Sequence, residues 1–208
     1  MRAPEPEDYG ASVLRDMQHW LEAAVIGLQL CPFAKAVHVR GQIHYRVSRA
    51  TEPQQLLHLL ELEMRALADM DAQLRDTTLL ILPDALPRFL DFNDFLGRAE
   101  DLLEALELDG VLQIASFHPQ FQFAGTAADD ITNATNRAPY PTLHLLREAS
   151  VDKAVAAFPQ ADTIFEANMK TLQRIGQAGW DALGVRRSVP PPPAAAPSAA
   201  RRRGRIGR

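Results

Sequence analysis

GVLQIASF, residues 110–117, is the most strand-like run in the chain, and its reading decides the fold class. It is apolar on both faces, the pattern of a central strand covered on two sides. Just upstream, Phe89, Phe92, Leu96, Ala99, Leu103 and Leu106 recur at helical spacing behind Pro87, which suits the first turn of a helix. Before that helix, TTLLIL (77–82) is a short apolar run of strand length closed by Pro83. Thr51, with Gln54 in the capping-box position, predicts the start of another helix, whose buried face is Leu56, Leu57, Leu60, Met64 and Leu67. Ile43, Tyr45 and Val47 alternate with His44, Arg46 and Ser48 as in a half-buried strand. Gly41 marks a turn before it, so 37–39 is expected to pair back as a short hairpin arm. Val13, Met17, Trp20, Leu21, Ala24, Val25 and Leu28 form the stripe of a first helix that Pro32 stops near Leu30. Downstream, TLHLL (142–146) reads as a last strand, followed by helices at 151–157 and 161–176, the second with Asp162 suited to its N-terminal dipole. Strands alternating with helices predict a single α/β domain, a small mixed β-sheet of about four to five strands packed with helices.

Bulk properties narrow the function classes. At 208 residues the chain is long enough to bury a core. No apolar run approaches the ~20 residues that span a bilayer, so no membrane role is expected. MRAPEPEDYG (1–10) has neither the apolar stretch nor the cleavage pattern of a secretory signal. A single cysteine rules out an intramolecular disulfide framework and fits a reducing compartment, so a cytoplasmic location is expected. The net charge of −4 conceals a division. From Arg186 onward there are seven Arg and no acid, while the rest holds 15 basic residues against 26 acidic ones. Nucleic-acid binding by that acidic body is disfavoured, because phosphate contacts need clustered cations. Residues 188–200, SVPPPPAAAPSAA, read as an extended Pro/Ala linker. The expected organisation is an N-terminal tail at 1–10, a globular domain at 11–185 and a disordered Pro/Ala/Arg-rich tail at 186–208.

Candidate chemistry concentrates between the last two strand-like runs. SFHPQFQFAGTAADDITNATNRAPYPTLHLLRE (116–148) packs His, Asp, Asn and Arg into a connection far longer than the usual ~4–6 residues, the kind that tends to be functional. It carries aromatics and few linker residues, so it is expected to be ordered. His118 sits at the carboxyl end of the inferred central strand, where open α/β sheets bind ligands, and is the candidate acid/base. One of Asp129 and Asp130 would orient its ring, while the other caps a helical turn at 131–134. Asn133, Asn136 and Arg137 form a candidate clamp for a carboxylate or phosphate. His144 and Arg147 alternate with leucines along the last strand and are further substrate-binding candidates. Tyr140, between two prolines, is a candidate pocket wall. A metal site from His118, His144 and one Asp is chemically possible, but its spacing matches no tight ligand motif. Cys31 follows a helix C-terminus, where the dipole disfavours a thiolate, and Lys35 one turn on would offset this only if the chain folds back. With no P-loop, G-x-G-x-x-G, C-x-x-C or H-E-x-x-H, nucleotide cofactors and structural zinc are disfavoured, and no cofactor is assigned.

Four strings, AVIGLQLCPFAKAVHVRGQIHYRVS, LDFNDFL, LQIASFHPQFQFAG and DDITNATNRAPYPTLHLLREASVDKAV, resemble those of the domain of unknown function family 1415, over about residues 12–180. The resemblance implies a compact bacterial-type cytoplasmic domain without an established activity. It groups Cys31 and Lys35 with the loop motifs, making them possible auxiliary residues. Three readings follow. The first is a hydrolase- or transferase-type enzyme acting on a small polar or anionic metabolite, with His118 as acid/base, Asp129 or Asp130 as its partner, and Asn133, Asn136 and Arg137 as the clamp. The second is a non-catalytic module that binds a ligand or a protein through Phe121, Phe123 and Tyr140. The third is a metal- or haem-handling protein. Against all three stands a loop whose polar groups satisfy one another.

Overall fold

A strand buried at every position needs neighbours on both edges and cover on both faces. The apolar run at 77–82 meets that requirement. It forms β2 (Thr77–Ile81), buried at all five positions, in the computed structural model, which describes residues 9–157 and 163–189. On one side lies β1 (Ile43–Val47), parallel to it, and on the other β4 (Thr142–Arg147), antiparallel. Beyond β4 comes β3 (Leu112–Phe117), again antiparallel, so the order is β1-β2-β4-β3. The chain is therefore a single α/β domain on a mixed sheet, with four strands among the described residues. The centre is not where the sequence suggests. The 110–117 run supplies an edge strand, fully buried only at Leu112. Its apolar pattern reports cover over its two faces, which helices and loops provide, and carries no information about neighbours at its edges.

One face of the sheet packs under α3 (Pro53–Asp69) and α4 (Phe89–Ala105), with Leu56, Leu60, Met64, Phe92 and Phe95 set against Leu80, Leu143 and Leu145. The capping differs from expectation. Glu52 is the N-cap of α3, without a side-chain bond, and Pro53 takes the first helical position, where its fixed φ fits and its missing N–H costs nothing. Thr51 is thereby left one residue outside.

The opposite face lies under α1 (Tyr9–Trp20), whose Tyr9, Val13, Met17 and Trp20 are buried at helical spacing. Tyr9 is 4% exposed, so the helix begins inside the stretch assigned to a tail. Past Trp20 the helix widens into π-type turns at Leu21–Ile26, with Gly27 N–H donating to Glu22 C=O at 2.9 Å. It unwinds by Leu30, ahead of Pro32, as expected. Residues 37–39 belong to a short α2 (Ala34–Val39), not to a hairpin arm. Gly41, at φ 67°, turns the chain into β1, whose single strand partner among the described residues is β2.

After β4, α5 (Glu148–Ala156) and α6 (Ile164–Ala182) close the domain. Gly176 (φ 61°, ψ −174°) kinks α6 where the sequence places its end, and the chain beyond returns Trp180 and Leu183 to the α1 core. Asp162 lies outside the described residues. Arg187 and Ser188, assigned to the tail by charge, contact the body. Ser188 N–H donates to Asp16 at 2.7 Å, and the Arg187 guanidinium lies 5.2 Å from the Tyr140 ring centre.

Candidate functional site

The 118–141 connection is ordered, as its aromatic content suggests, and it is held from three sides. Asn136 accepts from His118 N–H through its backbone carbonyl (3.1 Å) and donates through Nδ2 to Ser116 C=O (3.1 Å), lashing the loop to the end of β3. Trp20 of α1 donates its indole N–H to Arg137 C=O at 2.8 Å and packs edge-on against Phe117. α6 covers the 3₁₀ turn Ile131–Asn136, setting Leu172 beside Ala134 and Leu30, and Asn168 donates to Leu30 C=O at 2.8 Å.

His118 has no exposed surface. Its ring lies among Phe89 and Phe92, with centroids 5.6 and 5.2 Å away. Both ring nitrogens are engaged by backbone. Gln120 N–H donates to Nδ1 at 3.0 Å, and Nε2 stands 3.0 Å from Leu86 C=O. A carbonyl only accepts, so the proton is on Nε2 and the ring is the neutral tautomer. Desolvation lowers its pKa further than the Leu86 bond raises it. The ring therefore spans two chain segments and pins Leu86, which sits at φ 51°, an uncommon conformation for a leucine.

The remaining loop candidates turn inward or apart. Asp130 caps the 3₁₀ turn, accepting from Thr132 N–H (2.9 Å) and its hydroxyl (2.7 Å), which holds its carboxyl below the usual range. One aspartate of the pair was expected to do this. Asp129 is exposed and makes no hydrogen bond or ion pair among the described residues, and His118 has no carboxylate partner there. Asn133 is fully buried. Its Oδ1 accepts from Phe123 N–H (2.9 Å) and the Thr126 hydroxyl (2.8 Å), and its Nδ2 donates to Ala127 C=O (2.8 Å). Arg137 donates to Phe121 C=O (3.2 Å) and Ala128 C=O (2.6 Å), with burial lowering its pKa. Of the three residues expected to clamp one anion, Asn133 and Arg137 thus both bind backbone of the 121–128 stretch, while Asn136 binds the end of β3. Tyr140 is wholly buried and donates to Asp16 at 2.6 Å, so it forms no pocket wall.

His144 and Arg147 do not reach the loop chemistry. His144 is on the α1 face of β4, its Nε2 2.5 Å from the Thr77 hydroxyl, and desolvation pushes its pKa down to about 4. Thr77 donates its only hydroxyl proton to Leu145 C=O, so His144 is the donor to it and is neutral. Arg147, at the far end of β4, ties the strand to the α3–β2 connection through Met70 C=O and Arg75 C=O. Cys31 is half-buried against the α1 core with its thiol pKa raised by desolvation. Two backbone N–H groups, of Phe33 and Ala34 at the start of α2, oppose that rise, so its surroundings are not those of a helix C-terminus alone. Lys35 is exposed on α2. Among the described residues no three His, Cys, Asp or Glu side chains come together as a metal site, and no helix is long and apolar enough to cross a membrane.

Two features escaped the sequence reading. Glu63, buried on α3, pairs with Arg75 at 2.5 Å, with Arg46 at 3.5 Å and His44 at 3.8 Å beside it. The signal was a carboxylate between Leu60, Met64 and Leu67 on the apolar face of α3. The second is the extension of the sequence-named Phe121 and Phe123 into a row of aromatic rings that runs from α4 across the loop to α6. Phe89–Phe121, Phe121–Phe123 and Phe123–Phe165 centroids are 5.0, 4.9 and 5.7 Å apart.

The fold and the loop define an α/β domain on a four-stranded mixed sheet, whose long connection is folded onto itself by buried His, Asn and Arg. The chain belongs to the family described as Protein of unknown function (DUF1415), whose model matches residues 12–182. No curated protein and no solved structure matches it.

Proposed function

We propose that this protein is a non-catalytic binding module, and that its contact surface for a partner protein is the aromatic row Phe89, Phe121, Phe123 and Phe165. The observation that supports this reading is the row itself. It reaches the surface at Phe165, which is 49% exposed, and Leu90, the residue that follows Phe89 in α4, is 74% exposed. Aromatic side chains give large contact area for little lost rotamer entropy and are the usual anchors of protein interfaces. In this reading His118 is the floor of the row, stacking under Phe89 and fixing the loop that carries Phe121 and Phe123. The alternative, hydrolase- or transferase-type chemistry on a small polar or anionic metabolite, asks His118 for a free lone pair. That lone pair already accepts Gln120 N–H.

The test places a photo-crosslinking amino acid at position 165 of the full chain in cells, with position 62 on α3 as a control, since Leu62 is equally half exposed. A discrete protein adduct at 165, absent at 62 and lost on Leu90→Asp, is expected. No adduct, or the same labelling at both positions, overturns the reading. A metabolite that raises the melting temperature of the wild type and of Phe165→Asp but not of Arg137→Ala would favour the small-molecule alternative instead.

A further inference from the structure

The sheet leaves β3 with one edge that no strand covers among the described residues. Ser116 C=O and His118 N–H both reach Asn136 on that side, so the even-numbered residues of β3 turn their backbone groups away from β4. Leu112 N–H is taken by Leu108 C=O. Among the described residues, Leu112 C=O, both groups of Ile114 and Ser116 N–H have no partner. Such an edge is a template for an added strand.

The edge borders a groove of about 630 Å³ between α4 and β3, whose lining includes Glu100, Asp101, Glu104, Asp109 and Glu148. None of these five carboxylates has an ion-pair partner among the described residues. Five like charges around an open strand edge fit a basic, extended occupant. The same chain carries one in residues 201–208, RRRGRIGR, with five Arg and no acid. Alternation in a strand puts Arg201, Arg203 and Arg205 on one side.

We propose that the groove between α4 and the open edge of β3 is the docking site of this chain's own segment 201–208, which adds to β3 as a further strand and sets its arginines against the α4 carboxylates. The connection is long enough. Ser188 is held by Asp16 and Tyr140, at the end of the sheet where β2 stops and β4 starts. From there the groove is about 10 Å across two strand spacings and about 17 Å down β3. The eleven residues 190–200 span up to about 36 Å when extended. The site is separate from the aromatic row and stands whether or not that row binds a partner.

Hydrogen exchange at the Ile114 and Ser116 amides of the full chain tests this, because a docked strand protects them and mere charge attraction does not. At low salt both amides are expected to exchange about tenfold more slowly than in the full-length variant Arg201→Ser/Arg203→Ser/Arg205→Ser. Glu100→Gln/Glu104→Gln should release them in the same way, and 0.5 M salt should weaken the protection. Equal exchange in wild type and both variants overturns the proposal. Protection that disappears on dilution would place the segment on a second copy and overturn docking within one chain.

Discussion

His118, the candidate acid/base, has both ring nitrogens engaged by backbone groups. Its two nitrogens join backbone groups of segments 32 residues apart and two residues apart, and its ring fills space between Phe89 and Phe92. His118→Ala should therefore leave Leu86 C=O and Gln120 N–H unpaired over a cavity, costing about 3 kcal/mol in urea unfolding. An unchanged unfolding midpoint would return His118 to the candidates for catalysis. His144 makes a pH prediction. Its folded pKa of about 4 lies below the ordinary 6.5. Between those values the unfolded chain binds a proton that the native state refuses, so stability is full above about pH 6.5 and falls as pH drops towards 4. His118, also lowered, acts in the same direction. Between pH 7 and 4.5 the wild type should lose about 2–3 kcal/mol more than His144→Gln, which keeps a donor to Thr77 but cannot titrate. Matching losses in the two proteins would rule this out. Sequence alone located the polar loop and a cap from the Asp129/Asp130 pair, without saying which of the two supplies it. It could not show where the side chains point, because a reach of a few ångströms separates an Asn that clamps a ligand from one that binds Ala127.

At the scale of elements, periodicity placed the strands and most of the helices, because burying one face leaves a trace every two or every three to four residues. It left out what depends on neighbours in space. The edge position of β3 is one case, and the switch to π-type turns after Trp20 is another, since Leu21, Ala24 and Val25 fit an ordinary helical stripe equally well. Gly27 carries the cost of that switch. A Cβ there would lie 2.3 Å from Ala23 C=O, whereas one on Gly97 of α4 meets nothing within 4 Å. Gly27→Ala should destabilise by about 1–3 kcal/mol through overpacking. Gly97→Ala should stabilise by up to about 1 kcal/mol through helix propensity. The two unfolding curves, moving in opposite directions, check whether the widened turn is what requires glycine at 27.

For the whole molecule, charge and packing put the end of the folded body at different residues. Arg186 opens the basic, acid-free stretch, so a boundary at 185 follows from charge alone. Packing moves it. Arg187 donates to Pro83 C=O at 2.6 Å and covers the Tyr140 ring, while Ser188 N–H joins Tyr140 in hydrogen-bonding the Asp16 carboxylate. This ties the chain beyond α6 to α1, to the end of β2 and to the approach to β4. A hydrogen bond to a charged group contributes about 1.5–3 kcal/mol, and an arginine over an aromatic ring about 0.5–1. Ordering three or four more residues offsets part of that gain. A chain ending at Val189 should therefore unfold at higher urea than one ending at Val185, by about 2 kcal/mol. Asp16→Asn should remove most of the difference, because it weakens the acceptor that Ser188 and Tyr140 share. If the two truncations unfold together, Arg187 and Ser188 rest on the surface without holding it, and the boundary belongs at 185 after all.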